Sequence, residues 1–272
     1  MTPTQRLEIA VDIVHEAGRM IVEAREHQVF GQRYKHGQEL VTDTDVEVDT
    51  YISERIEQHF HGEARLSEEL TPDRQVLNSP QALWVVDPID GTVNFAHGLR
   101  HVAVSIGWAN EGHTRLGVVH APFLGETFTA LYGQGAWCNG QAIHASRTGN
   151  LAHALVGTGF PYRRDSRMPL MRRLSAVLSH CQDVRRNGSA ALDLCDVACG
   201  RLDAYYESVS PWDCAAGWLI AREAGARTGH LYPGPTGIPD DLYGENLLVT
   251  SPNLHIELGD LLRRADAGEI DL

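Results

Sequence analysis

The segment Trp84-Val85-Val86-Asp87-Pro88-Ile89-Asp90-Gly91-Thr92-Val93-Asn94-Phe95 sets two carboxylates, a glycine and a hydroxyl along one short stretch of chain. The apolar run Leu83 to Val86 predicts a buried strand that ends at Asp87, because Pro88 fixes the backbone and cannot donate to a ladder. Asp90 follows three residues later, so a tight turn would aim both carboxylates at one point. Carboxylates that close repel each other, and a divalent cation is the usual remedy. Gly91 puts no side chain between the backbone and a ligand. A helix opening at Thr92 would direct free N–H groups at an anion. The implied chemistry is a metal ion and a phosphate meeting at one strand end. Asp-x-x-Asp alone is an ordinary acidic turn; the specificity lies in the whole string.

Two carboxylates seldom complete such a site. Upstream lies Leu66-Ser67-Glu68-Glu69, and downstream Ser210-Pro211-Trp212-Asp213-Cys214-Ala215-Ala216-Gly217 opens a predicted helix. Ser210 suits its N-cap and Pro211 its first position. Asp213 then falls in the first turn, where the helix dipole favours negative charge. Ala215, Ala216, Leu219, Ile220 and Ala224 form its apolar stripe, and Gly225 ends it. Taken singly, Asp213 reads as a capping residue and Glu68 as a solvated acid. Their weight comes from occurring together with Asp87 and Asp90.

With these blocks in place, the chain resembles the inositol monophosphatase family of magnesium-dependent phosphomonoesterases. The resemblance runs from about residue 7 to about residue 252. It also includes Leu40-Val41-Thr42-Asp43-Thr44-Asp45, Gly135-Ala136-Trp137-Cys138-Asn139-Gly140 and Arg186-Asn187-Gly188-Ser189-Ala190-Ala191. It implies a layered α-β-α-β-α sugar-phosphatase-type fold with the active site between the halves. It makes Asp87 a bridging metal ligand. Glu68 and the Ile89 carbonyl would hold a first ion, and Asp90 and Asp213 a second. Thr92, paired with Asp45, would orient and deprotonate the attacking water, so Asp45, Glu68 and Thr92 carry the catalytic roles. Gly91, Thr92, Ala190, Asp90 and Asp213 would meet the phosphate or substrate, and Glu207 would hold substrate hydroxyls. The resemblance also implies inhibition by Li⁺ and a homodimer. If the four acids converge they carry four negative charges, and a phosphomonoester adds about two more. Two Mg²⁺ offset the carboxylates and a third offsets the phosphate, so two to three ions are expected. Lys35 reads either as a group near the third ion or as a solvated lysine.

Two departures stand out. Ser67 replaces the family's usual Gly before the glutamate pair. The segment from Glu207 to Trp212 is one residue shorter than in typical inositol phosphatases, so Glu207 reads either as a hydroxyl acceptor or as a surface acid at a strand end. Relatives acting on nucleotides or histidinol phosphate usually carry Lys two residues after the Thr. This chain has Asn94, which favours inositol 1-phosphate over histidinol phosphate, fructose 1,6-bisphosphate or a (di)nucleotide phosphate. A non-catalytic interaction protein that keeps the fold is the reading from another class. Such a protein could lose its metal ligands, and none of the four is missing.

Composition agrees with a small-molecule enzyme. The chain has 272 residues and 43% hydrophobic content, enough for a large core. Acids outnumber bases 36 to 23, a net charge of -13, which argues against a nucleic-acid surface but not against an anionic substrate, since bound cations reverse the local field. Five cysteines without zinc-type spacing predict a reducing compartment. With no leader and no membrane-length apolar run, a cytoplasmic enzyme is expected.

These residues must be positioned by the elements around them. Thr2-Pro3-Thr4-Gln5 reads as a capping box, followed by Leu7, Ala10, Val14, Ala17 and Ile21 at helical spacing. Residues 31–37 read as a mobile loop. A second helix is predicted from about Asp45 to about Phe60. Strands are predicted at 101–109, 116–121 and 127–132, and Asn139-Gly140 as a hairpin turn. Gly133-x-Gly135 has no helix after it and reads as another turn, not a nucleotide loop. Beyond about residue 150, strands at 155–160, 183–186, 204–207 and 247–250 alternate with helices near 167–180, 189–199, 211–224 and 253–264. The tail after Arg264 reads as disordered. The order predicts an antiparallel-sheet half, residues 1–148, carrying most metal ligands. A mixed α/β half, 149–272, would carry Asp213 and the substrate contacts.

Overall fold

The Thr2 capping box closes as expected: the Thr2 hydroxyl accepts from the Gln5 N–H at 3.2 Å, and the Thr2 N–H donates to Gln5 Oε1 at 2.9 Å. The computed structural model describes residues 1–28, 30–35, 39–71, 73–160 and 167–270; the side chains of Lys35, Glu39 and Arg167 lie outside that description. Helix α1 (Pro3–His27) packs beside α2 (Asp43–His59) as the outermost layer. Between them, β1 (Gln32–Lys35) and β2 (Glu39–Thr42) pair antiparallel, which corrects the loop expected at 31–37. Residues 31–34 are solvent-exposed, so no apolar alternation marked the strand. Helix α2 also starts earlier than expected, because Thr42 is its N-cap and Asp45 closes the box from the third helical position.

Among the described residues, two main sheets follow. The first has the order β3 (Ala64–Ser67), β4 (Leu83–Asp90), β5 (Ala103–Asn110), β6 (His113–Ala121), β7 (Glu126–Leu131), β8 (Ala136–Cys138) and β9 (Gln141–Ala142). It is antiparallel except at its edge, where β3 runs parallel to β4. The turns at Gly133–Gly135 and Asn139–Gly140 join β7 to β8 and β8 to β9, as the sequence predicts. The second has the order β11 (Asp183–Arg185), β10 (Leu155–Thr158), β12 (Ala204–Glu207), β14 (Leu247–Thr250) and β13 (Arg227–His230). It is mixed: β10 is parallel to β11 and β12, while β14 is antiparallel to β12 and β13. Strand β13 escaped the sequence reading because Arg-Thr-Gly-His carries no apolar alternation.

Burial defines the layers. Val48, Ile52 and Ile56 of α2 and Ala10, Val14 and Ile21 of α1 bury against Trp84, Val86, Val104, Ile106 and Val118 on one face of the first sheet. The opposite face meets α5 (Ala190–Ala198) and α6 (Pro211–Glu223), which also cover Tyr205, Leu247 and Val249 of the second sheet. The far face of the second sheet is closed by α4 (Arg167–Leu178) and α7 (His255–Asp266), through Ala176, Val177, Leu258 and Leu262. The succession is α-β-α-β-α. Beyond α7 the chain is ordered through the described residue Ile270, which corrects the disordered tail. Asp266 anchors it: Arg173 donates to both its oxygens, at 2.7 and 2.6 Å, and the Tyr232 hydroxyl adds a third bond at 2.7 Å.

Candidate active site

Strand β4 does not stop at Asp87. Asp87 pairs with Ser105, and the ladder resumes with Asp90 opposite Ala103, so three steps on β4 match two on β5. This is a bulge, and it is where Pro88 fits without costing a ladder bond. The Ile89 N–H donates to Asp87 Oδ1 at 3.0 Å and tightens it. A short helix, α3 (Thr92–Ala96), begins directly after it. Gly91 joins the two at φ 98°, and a Cβ there would lie 2.8 Å from the His101 carbonyl oxygen. Left-handed backbone and lack of room together require glycine.

Asp213 arrives from the N-terminus of α6. Its Oδ2 accepts the Ser210 N–H at 2.7 Å, so it closes the α6 capping box while reaching the bulge. Asp87, Asp90 and Asp213 each place a carboxylate oxygen within 4.8 Å of the others. Asp87 and Asp90 are buried. Burial, then the charges of Glu68, Asp90 and Asp213, push the Asp87 carboxyl well above the usual range. Burial and the Asp213 charge push Asp90 up to about 7. Opposing this, the Ser189 hydroxyl and the Ala191 N–H both donate to Asp90 Oδ2 at 2.7 Å. An all-oxygen donor set whose members repel each other fits a hard divalent cation, which would offset the charge that burial disfavours.

Glu68 lines the same cleft, next to the cluster rather than within the 4.8 Å group. Its turn is held by Asp49, which the sequence reading missed. Asp49 Oδ2 accepts the N–H groups of Glu69 and Leu70 at 3.1 and 3.0 Å. The available signal was spacing: Asp45 and Asp49 are four apart on the inward face of α2, beside Val48 and Ile52. Ser67, the departure from the family pattern, is buried with its hydroxyl 3.0 Å from Thr71 Oγ1.

Thr92 Oγ1 lies 2.9 Å from Asp45 Oδ1 and 3.1 Å from the Ile89 carbonyl oxygen. The other oxygen of Asp45 accepts both the N–H and the hydroxyl of Thr42. One carboxylate thus caps α2 and meets the Thr92 hydroxyl. Burial raises its pKa, and the hydrogen bonds from Thr42 and Thr92 pull against that rise.

The cleft encloses about 570 Å³ and includes Gly91, Thr92, Ala190 and Glu207 beside the acids. Glu207 ends β12 and accepts the Tyr205 hydroxyl. Burial is the main reason its carboxyl is pushed up to about 7. Asn94 does not line the cleft; its Nδ2 ties the His101 and Asn187 carbonyl oxygens at 2.7 and 2.8 Å. Lys35 ends β1, with its side chain outside the described residues. Arg74 and Asp193 also line the cleft and were not anticipated, and so does Arg186, which the family pattern includes but to which no role was given. Arg74 donates to Ser210 Oγ at 2.8 Å and sits over the Trp212 ring at 5.2 Å. It comes from a short 3₁₀ turn at 74–78 that carries no motif.

The model of the inositol monophosphatase family matches residues 2–265. The chain is 37% identical over 259 residues to inositol monophosphatase 2 of Solanum lycopersicum, covering 91% of this chain and 96% of the relative. It is 38% identical over 234 residues to Nus factor SuhB of Pasteurella multocida, covering 83% and 87%. Thermotoga maritima IMPase superposes with a TM-score of 0.85 at 29% identity, covering 98% of this chain and 100% of that one. SaIMPase-II bound to inositol monophosphate gives 0.78 at 27% identity, with 96% of each chain covered. The same SaIMPase-II bound to 2'AMP gives 0.81 at 27%, covering 97% of this chain and 96% of that one. The bulged Asp-Pro-Ile-Asp strand, the acid at the head of α6 and these matches over nearly the whole chain carry one conclusion: the protein belongs to the inositol monophosphatase family and is a phosphatase of phosphomonoesters.

Proposed function

We propose that the protein hydrolyses inositol 1-phosphate to inositol and phosphate, using two to three Mg²⁺ ions. The observation that carries this is the Asp87, Asp90 and Asp213 cluster opening into the same cleft as Glu207. Glu68, Asp87, Asp90, Asp213 and the Ile89 carbonyl would hold the ions. Bound there, the ions supply charge neutralisation of the phosphate and lower the pKa of water. The chain's own residues do the rest. Asp45 accepts the Thr92 proton, so the Thr92 hydroxyl can take one from the attacking water. N–H groups at Gly91, Thr92 and Ala190 bind phosphate oxygens at two helix starts. Glu207 accepts hydrogen bonds from neighbouring hydroxyls of the cyclitol and orients the leaving group. Li⁺ would compete at a Mg²⁺ position.

The two halves, 1–148 and 149–272, divide the work between metal binding and substrate contact in this reading. A homodimer in the cytoplasm completes it; no helix of the described residues is long and apolar enough to cross a membrane. A nucleotide monophosphate is the competing substrate, because SaIMPase-II has been captured with 2'AMP as well as inositol monophosphate. The test is phosphate release from inositol 1-phosphate, histidinol phosphate, fructose 1,6-bisphosphate, 2'AMP and a dinucleotide phosphate, with Mg²⁺ and with excess EDTA. Inositol 1-phosphate should give the highest kcat/KM, and EDTA should abolish turnover until Mg²⁺ is returned. Full activity in EDTA, or a clear preference for 2'AMP, would overturn the proposal.

A further inference from the structure

Strands β10 and β12 run side by side in parallel, with Gly157 opposite Tyr205 and Thr158 opposite Tyr206. Alternate residues of a strand share a face. Tyr205 and Glu207 therefore lie on one face of β12, with Gly157 on the same face of β10 and Gly159 just past the end of that strand. That face looks toward α5 and α6, the layer from which Asp213 projects. Tyr205 is fully buried, and its hydroxyl donates to Glu207 Oε2. Gly159 lines the cleft beside Glu207. A Cβ added at Gly159 would fall 2.0 Å from Glu207 Oε2 and 2.3 Å from Oε1. The carboxylate therefore occupies the space that any side chain on residue 159 would take. The backbone of Gly159 is outside the left-handed region, so a side chain there is opposed only by the space Glu207 fills and not by its dihedral angles.

We propose that Tyr205 and Gly159 are specificity-determining positioning residues: they hold the Glu207 carboxylate in one orientation, one oxygen satisfied by the phenol and the other left for a hydroxyl of a polyol phosphate. The proposal rests on the reading of Glu207 as the hydroxyl acceptor. Each residue acts from a different side. The phenol fixes the carboxylate from its own strand, at two residues' distance. The missing side chain at Gly159, just past the end of the neighbouring strand, leaves it a seat. Without the phenol, Oε2 would compete for the same substrate hydroxyl and the side chain would be free to rotate. With a methyl group on residue 159, the carboxylate end of Glu207 must swing away. That movement costs little, because it is the far end of a flexible side chain, so the fold should survive it.

The experiment measures a selectivity ratio, kcat/KM for inositol 1-phosphate over kcat/KM for p-nitrophenyl phosphate, which has no hydroxyls to hold. Tyr205→Phe, Gly159→Ala and Glu207→Gln are compared singly, and each of the first two is combined with Glu207→Gln. Thermal melting confirms that each variant is folded. Tyr205→Phe and Gly159→Ala should each lower the ratio by about tenfold, the loss of one hydrogen bond to a charged group, with KM for inositol 1-phosphate rising more than kcat falls. In the Glu207→Gln background neither should lower it further. A further fall in the double variants would mean that they act independently of Glu207 and would overturn the proposal. So would single variants that keep the ratio while Glu207→Gln lowers it; the Glu207 reading would then stand alone. A ratio unmoved by Glu207→Gln would remove both.

Discussion

Asp45→Asn separates the two duties of one carboxylate. The substitution is isosteric. The Asn carbonyl oxygen can keep both bonds that Asp45 Oδ2 accepts from Thr42, so the α2 cap survives. The amide NH₂ then faces Thr92 at the 2.9 Å position of Oδ1, where it cannot accept the hydroxyl proton. Loss of a hydrogen bond to a charged group alone would lower kcat about ten- to a hundredfold. Loss of a proton acceptor extends the range to roughly 10²–10⁴-fold. The assay is kcat for inositol 1-phosphate at saturating Mg²⁺, with Mg²⁺ titration by calorimetry and urea denaturation on the same sample. Turnover should fall at least about a hundredfold. Mg²⁺ binding should hold, since Asp45 lies outside the acidic cluster. Stability should stay within about 1 kcal/mol, because the cap is retained. Turnover within about tenfold of the parent would refute the relay, being less than the hydrogen bond alone predicts.

Four further outcomes follow from the geometry. Burial and neighbouring charge push Asp90 up to about 7 and raise Asp87 as well, so Mg²⁺ must displace protons from the acidic cluster at lower pH. Calorimetry on the metal-free protein should show affinity rising with pH by about tenfold per unit for each proton displaced; a flat profile would contradict the shift. For Asp90 and Glu207, both raised to about 7, urea melts of the metal-free fold should lose stability as pH rises from the ordinary carboxylate range to about 7, since the folded state there holds protons the unfolded chain has lost. His120 and His255, lowered by burial to about 4, act in the opposite sense, in the lower range up to the ordinary histidine pKa of about 6.5. Gly91→Ala should cost about 1–3 kcal/mol in urea melts and lower kcat as α3 shifts, from a left-handed backbone and the close His101 carbonyl. Parent-like values would show that the turn relaxes freely. Arg173→Leu should cost about 3 kcal/mol by leaving Asp266 uncompensated, while the double variant with Asp266→Leu recovers much of it. No recovery would assign the loss to packing.

Much of the fold was legible because its signals are local. The α1 capping box, the Pro211 start of α6 and the Asn139-Gly140 turn each depend on neighbours in sequence, and each appears where its residues are. The acids of the candidate metal site were legible for the same reason: Asp87 and Asp90 sit in one bulge, and Asp213 in one first turn. What was hidden depends on pairing across the chain. β1 and β13 are held by backbone bonds to β2 and β14, with no apolar side chains to announce them. Pro88 suggested a strand end, whereas opposite β5 it sits within a bulge. Gly159 looks like any loop glycine until β10 is placed against β12 and Glu207 fills its missing side chain. Asp49 and Arg74 act on residues distant in sequence, so no spacing rule reached their partners.

The middle layer has a consequence for how the molecule fails. Ala103, Val119 and Phe128 from one sheet and Tyr205, Leu247 and Val249 from the other bury against the same two helices. Neither sheet can keep its inner face dry once α5 and α6 leave, and a fragment holding one sheet would expose that whole face. Unfolding should therefore run as a single cooperative transition rather than half by half. Damage also spreads along that route. A cavity opened beneath Val249, on the far sheet from Asp87, loosens the layer that carries Asp213. It would displace Asp213 relative to Asp87 and Asp90 before any loss of secondary structure. In this architecture a lesion's distance from the cleft, measured along the chain or through space, is a poor guide to whether it is silent.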